Sequence, residues 1–120
     1  DPAIETIILQ ESASACIDRG VFSAGDIQDR LVLAMINEAA DILYDGIAAT
    51  AADIDLVLVH GYGFPRWRGG LLHYADQIGV DRLLAILRMF AAEDPLVWRP
   101  SPVLIDCAET KISLAQWRRL

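Results

Sequence analysis

Gly61-Tyr62-Gly63-Phe64-Pro65-Arg66-Trp67-Arg68-Gly69-Gly70 is the stretch on which the reading of this chain turns. Four of its ten residues are Gly and one is Pro; two Arg and three aromatics fill the gaps. Gly at this density permits positive φ and close backbone approach, so the stretch reads as a shaped loop. Pro65 fixes its own φ and biases Phe64 towards an extended conformation. Patterns of helical period lead into the loop and out of it, which predicts an all-α chain with one stiff bend.

Working back from the loop, Thr50-Ala51-Ala52-Asp53 is a capping box that opens a helix over Asp53–His60. Ile54, Leu56, Val57, Leu58 and Val59 would also suit a buried strand, but the cap before them and Gly61 after them favour helix. The longest helix is predicted over Ala24–Asp45, capped by Ser23 with Asp26 and closed by Gly46. Its polar strip (Arg30, Asn37, Asp41, Asp45) is narrow, which predicts protein on most sides. Asn37 and Glu38, mid-helix among apolar residues, are expected to satisfy backbone groups of a loop. The first helix is predicted over Ile4–Ile17, with Asp1-Pro2 as cap and first turn and Arg19-Gly20 as stop. After the loop, helices are predicted over Leu71–Ile78 and Asp81–Ala92, the latter burying Leu83, Leu84, Ile86, Leu87 and Phe90. Asp94-Pro95 and Pro100-Ser101-Pro102 act as breakers. A short helix follows over Val103–Ala108, and residues Leu114–Leu120 dock through Trp117.

The chain has 120 residues, the size of one domain. Apolar residues make up 54% and mean hydropathy is +0.34. A small domain cannot enclose that much apolar surface, which predicts an exposed face that meets another domain or a second copy. The net charge is −7, with ten Lys and Arg against 17 Asp and Glu, and argues against nucleic acid and anionic membrane as partners. No apolar run reaches the ~20 residues of a membrane span. Cys16 and Cys107, far apart in sequence, read as reduced, packed thiols of a cytoplasmic protein, with a disulfide between them as the alternative. With no Met at its start, the chain reads as part of something longer.

His60 and His73 are the only histidines. His60 falls at a helix C-terminus, where a partly charged imidazole meets the dipole; His73 and Asp76 could pair on one face. Neither has the further ligands a metal site needs, and both read as structural. Arg66 and Arg68 are the candidate anion-binding residues: guanidinium groups beside loop N–H groups can hold a phosphate such as that of CoA. The competing reading has them bind carboxylates or helix carbonyls of a neighbouring domain. The spacing matches neither a dinucleotide fingerprint nor a P-loop. Phe64 and Trp67 read as interface anchors. Asp53 and Asp55 lie at a helix start, where acidic residues are common for dipole reasons alone.

The segments Ile27–Ala40 (IQDRLVLAMINEAA), Asp45-Gly46-Ile47, Ala52-Asp53-Ile54-Asp55, the glycine loop, Tyr74-Ala75-Asp76 and Ile78-Gly79 together resemble the C-terminal domain of 3-hydroxyacyl-CoA dehydrogenases. The likeness is strongest to its second copy in the multifunctional enzymes of fatty-acid β-oxidation, and runs from about residue 23 to 90. It implies a compact all-helical domain, residues 1–120, that packs against a like domain in the same chain or in a second subunit. It also implies an NAD-binding domain elsewhere in the parent, carrying the catalytic His and Glu, so that this piece holds no cofactor and no catalytic residue. The family has an Asn near the substrate at the start of an Asn-Arg-Leu run; here the run is Asp29-Arg30-Leu31, a departure that fits a copy retained for architecture. Two other functions are compatible with the residues: a stand-alone CoA or acyl-CoA binding module using Arg66 and Arg68, and a homodimerising helical module.

Overall fold

A computed structural model describes residues 1–119. Six α-helices occur among them: α1 Pro2–Ser14, α2 Ala24–Tyr44, α3 Ala51–Gly61, α4 Leu71–Ile78, α5 Val80–Ala91 and α6 Pro102–Thr110, with one 3-10 turn at Arg66–Arg68. No strand is present among the described residues, so the all-α expectation holds.

The short helix α4 lies at the centre. It packs on α2, α3 and α5, and α6 closes the bundle against α2 and α5. Leu71, Leu72 and Ala75 of α4 meet Leu33, Ile36, Ala40 and Leu43 of α2, Leu83, Leu84 and Leu87 of α5, and Val103, Leu104 and Cys107 of α6 in one core. Burying each Leu contributes roughly 1.5–3 kcal/mol.

Local chemistry sets the helix ends. Ser23 Oγ accepts the Asp26 N–H at 3.1 Å while Asp26 Oδ2 accepts the Ser23 N–H at 2.9 Å. Thr50 and Asp53 repeat the pattern at 3.3 and 2.9 Å. Each box satisfies two backbone donors that a helix start leaves orphaned. Gly46 closes α2 at φ +73°, with the Ile47 N–H reaching Ile42 O, the expected left-handed stop. Pro102 opens α6 at the first position.

Several expectations are corrected. α1 ends at Ser14, ahead of Arg19-Gly20, because Cys16 itself turns left-handed (φ +54°) and the Ile17 N–H bonds Ser12 O. Cys16 is exposed, whereas Cys107 is buried. α2 is covered on one side only: Ile27, Leu31 and Met35 face outward, since the bundle is a single layer around α4. Ile86 is half-buried. Glu38 is exposed, while Asn37 does bind a loop: its Nδ2 donates to Arg99 O at 2.9 Å and its Oδ1 accepts the Ser101 N–H at 2.8 Å. Asp76 faces away from His73 and accepts the N–H groups of Leu114 and Ala115 at 2.7 and 3.1 Å. That bond and Trp117 Nε1–H to Asp106 at 2.7 Å dock the C-terminal turn; Leu120 lies outside the described residues.

α1 stands apart. None of its residues is buried, and it shares no extensive packing with another helix. The radius of gyration is 16.7 Å, against about 14 Å for a compact chain of this length. The expected exposed apolar face is present: Ile4, Ile7, Ile8 and Leu9 on α1, and Leu56 and Val57 on α3, lie open to solvent.

Candidate functional site

The glycine loop leaves α3 when the N–H groups of Tyr62 and Phe64 both reach back to Leu58 O, at 3.2 and 3.0 Å. Phe64 is half-buried and packs on the core of its own bundle. Pro65 (φ −56°) starts the 3-10 turn, in which the Arg68 and Gly69 N–H groups bond Pro65 O and Arg66 O, both at 3.0 Å. The backbone is thus pinned at both ends and in the middle, as a shaped loop requires.

Two glycines are dictated by close approach. Gly69 (φ +80°) would place a Cβ 2.5 Å from His73 Cδ2. Gly70 (φ +131°) would place one 2.3 Å from Asp55 Cγ. Asp55 is there because Gly70 offers no side chain to cap α4. Reaching across from α3, its carboxylate accepts the Leu72 N–H at 2.7 Å and the His73 N–H at 3.0 Å. A carboxylate at a helix start gains both from the hydrogen bonds and from the dipole. Sequence reasoning assigned Asp55 only to the start of its own helix. Its real role spans 17 residues, and only the tight Gly69-Gly70 pair hinted that something must come close.

The loop's side chains divide into two groups. Arg68 is occupied: its guanidinium lies 4.3 Å from the Trp67 ring centroid and 4.2 Å from that of Tyr74. Such stacking holds the cation in place and stiffens the turn. Trp67 itself is 77% exposed and Tyr62 79%. Arg66 is exposed, and no carboxylate among the described residues pairs with it. It stands on the rim of an open cavity of about 400 Å³ between α3 and α4, with Leu56, Val59 and His73. A second, more apolar groove of about 600 Å³ runs along α3 past Ile47, Val57 and Tyr62. The loop therefore presents Tyr62, Arg66 and Trp67 outward and directs Phe64, Arg68 and Gly70 to its own support.

The histidines stay apart from one another's chemistry. His60 is exposed at the end of α3, as expected from its position. The His73 ring meets Gln77 Nε2 at 3.1 Å. Among the described residues no group of three His, Cys, Asp or Glu is placed to hold a metal ion. Asp29 borders a small cavity of about 160 Å³ with Gln28, Tyr74 and Arg82. Arg30, its neighbour, is bound inward: Nη2 donates to Glu93 at 2.9 Å, and the guanidinium lies 4.2 Å from the Phe90 ring centroid and 5.1 Å from that of Phe22.

Fold and loop together define a helical domain whose polar groups mostly secure its own turns and whose aromatic and cationic groups gather on one surface bend. Residues 10–112 match the 3-hydroxyacyl-CoA dehydrogenase C-terminal domain, a span that extends past both ends of the 23–90 likeness. The chain belongs to that family. It is similar to the peroxisomal bifunctional enzyme of Homo sapiens (35% identity, covering 100% of this chain and 17% of the relative) and that of Pongo abelii (36%, covering 79% and 13%). It is also similar to the fatty acid oxidation complex subunit alpha of Colwellia psychrerythraea (38%, covering 59% and 10%). The chain thus spans between 10 and 17% of the length of these relatives. No helix among the described residues is long and apolar enough to cross a membrane.

Proposed function

We propose that this chain is the architectural C-terminal domain of an NAD-dependent 3-hydroxyacyl-CoA dehydrogenase of the multifunctional β-oxidation type. The parent oxidises a 3-hydroxyacyl-CoA to the 3-ketoacyl-CoA, with NAD held by a separate domain. This domain packs against a sibling helical domain and the NAD-binding domain, and the packing helps shape the acyl-CoA cleft. The observation that carries the reading is the pair of exposed aromatics, Tyr62 and Trp67, on a backbone that Asp55 and the stacked Arg68 hold rigid. Rigid exposed aromatics beside an unpaired Arg are the usual anchors of a specific interface. The compartment proposed is the cytoplasm, supported by two free thiols, and fractionation with the complete gene product tests it.

Titrating the sibling helical domain into this chain tests the docking. Trp67 fluorescence, isolated by comparison with Trp67→Phe, shifts to the blue if the ring is buried; an unchanged spectrum at saturating sibling contradicts the reading.

A second reading, a CoA or acyl-CoA module, draws on the unpaired Arg66 beside its cavity. Calorimetry with CoA decides it: binding lost on Arg66→Ala supports it, and absence of heat removes it.

A further inference from the structure

Ala52, Asp55, Leu56 and Val59 stand at i, i+3, i+4 and i+7 on α3, and all four line the open cavity of about 400 Å³ between α3 and α4. The strip from Ala52 to Val59 rises about 10 Å. Its apolar wall is wet, with Leu56 58% exposed. Three further groups on this cavity are polar, and their commitments differ. Asp55 is buried, and its two oxygens accept the Leu72 N–H at 2.7 Å and the His73 N–H at 3.0 Å. Its charge is thus met by the N-terminus of α4. His73 Nε2 lies 3.1 Å from Gln77 Nε2; with that amide donating, the ring proton sits on Nδ1 and leaves a free donor. Arg66 has no carboxylate partner among the described residues. The acid of the cavity is committed and the guanidinium is not. Other cavities lack this combination: the groove past Ile47, Val57 and Tyr62 has an acid, Asp53, and the small cavity beside Asp29 sets that acid against Arg82.

We propose that the cavity between α3 and α4 binds a free medium-chain carboxylate, its head on Arg66 and its alkyl tail along Ala52, Leu56 and Val59. An Arg–carboxylate pair is a charge-assisted contact with matched geometry. An extended tail of about eight carbons is about 10 Å long, the length of the strip. The volume falls within the range of small-ligand cavities. The guanidinium decides the preferred head group. A carboxylate gives up more hydration than an alcohol on entering an apolar site, so without Arg66 the alcohol of equal length would bind more tightly. An open cavity and a ligand this small imply a dissociation constant on the order of 0.1–1 mM. The inference goes beyond the docking reading and does not rest on it. It differs from the CoA reading in needing the alkyl tail and no phosphate.

Titration of the full chain with octanoate, followed by NMR of the backbone amides, tests the site. Saturable shifts centre on Leu56, Val59, Arg66 and His73. Hexanoate binds more weakly by about two- to four-fold per methylene removed. Octanoate binds more tightly than 1-octanol to the wild type, and Arg66→Gln reverses that order while its thermal melt stays unchanged. Leu56→Gln weakens both ligands. Absence of saturable shifts up to 10 mM, roughly ten times the weakest constant expected, overturns the proposal. So do shifts centred on Ile47, Val57 and Tyr62, tighter binding of octanol by the wild type, or an octanoate affinity indifferent to Arg66→Gln. The CoA calorimetry and the Trp67 titration use other ligands, so their failure and the failure of this site are read separately.

Discussion

Asp55 and Gly70 are a matched pair: the carboxylate occupies the space that any side chain at position 70 would fill, 2.3 Å from where its Cβ would be. The pair converts a helix start with no cap of its own into one capped from the neighbouring helix, and so fixes the angle at which the glycine loop joins α4.

Asp55→Ala leaves the buried Leu72 N–H without an acceptor. Denaturant unfolding will show a loss of about 2–3 kcal/mol. Gly70→Ala combines the clash with a positive φ and will also destabilise; stability equal to wild type for either variant contradicts the cap.

Asn37 fastens residues 99–101 to α2 through two hydrogen bonds, one to a fully buried N–H. Asn37→Leu deletes both, and will cost about 2–4 kcal/mol by the same measurement, the loss of two partly buried bonds and their orphaned groups.

The Arg30 hydrogen bond holds the Glu93 carboxyl below its ordinary value of 4.5. A carboxylate whose pKa falls on folding adds stability above the unfolded pKa, and that contribution is lost as pH falls through the folded value. Glu93→Gln will therefore be less stable than wild type at neutral pH, with the difference closing below about pH 4.5. A difference constant from pH 7 to pH 3 contradicts the pairing.

Burial pushes the Cys107 thiol up to about 11, with Asp106 and Asp76 adding to the effect. Cys16 lies open to solvent. A thiol reagent at neutral pH will label Cys16 at once and Cys107 only as the bundle unfolds, because the thiolate is the reactive form. Mass spectrometry of the peptides checks the order.

What the sequence made legible follows from range. Both capping boxes join residues three apart, so Ser23 with Asp26 and Thr50 with Asp53 could be read directly, and with them the helices they open. The loop's glycines could be read as backbone demands. The partners of those glycines could not: Asp55 and Asp76 act over 17 and 38 residues, and an acid at a helix start looks alike whether it serves its own helix or another. The stop of α1 was missed because a non-glycine residue, Cys16, takes the left-handed position at a cost that chirality normally forbids. An apolar stripe such as Ile4, Ile7, Ile8 predicts a partner but does not say which, so the detachment of α1 was invisible.

On the proposed function, this domain supports a dehydrogenase and performs no reaction alone. Spectrophotometric assay of the purified chain with acetoacetyl-CoA and NADH, beside the complete gene product, tests it most directly. The expected result is turnover by the complete product and none by the chain; NADH oxidation by the chain alone would contradict the proposed role.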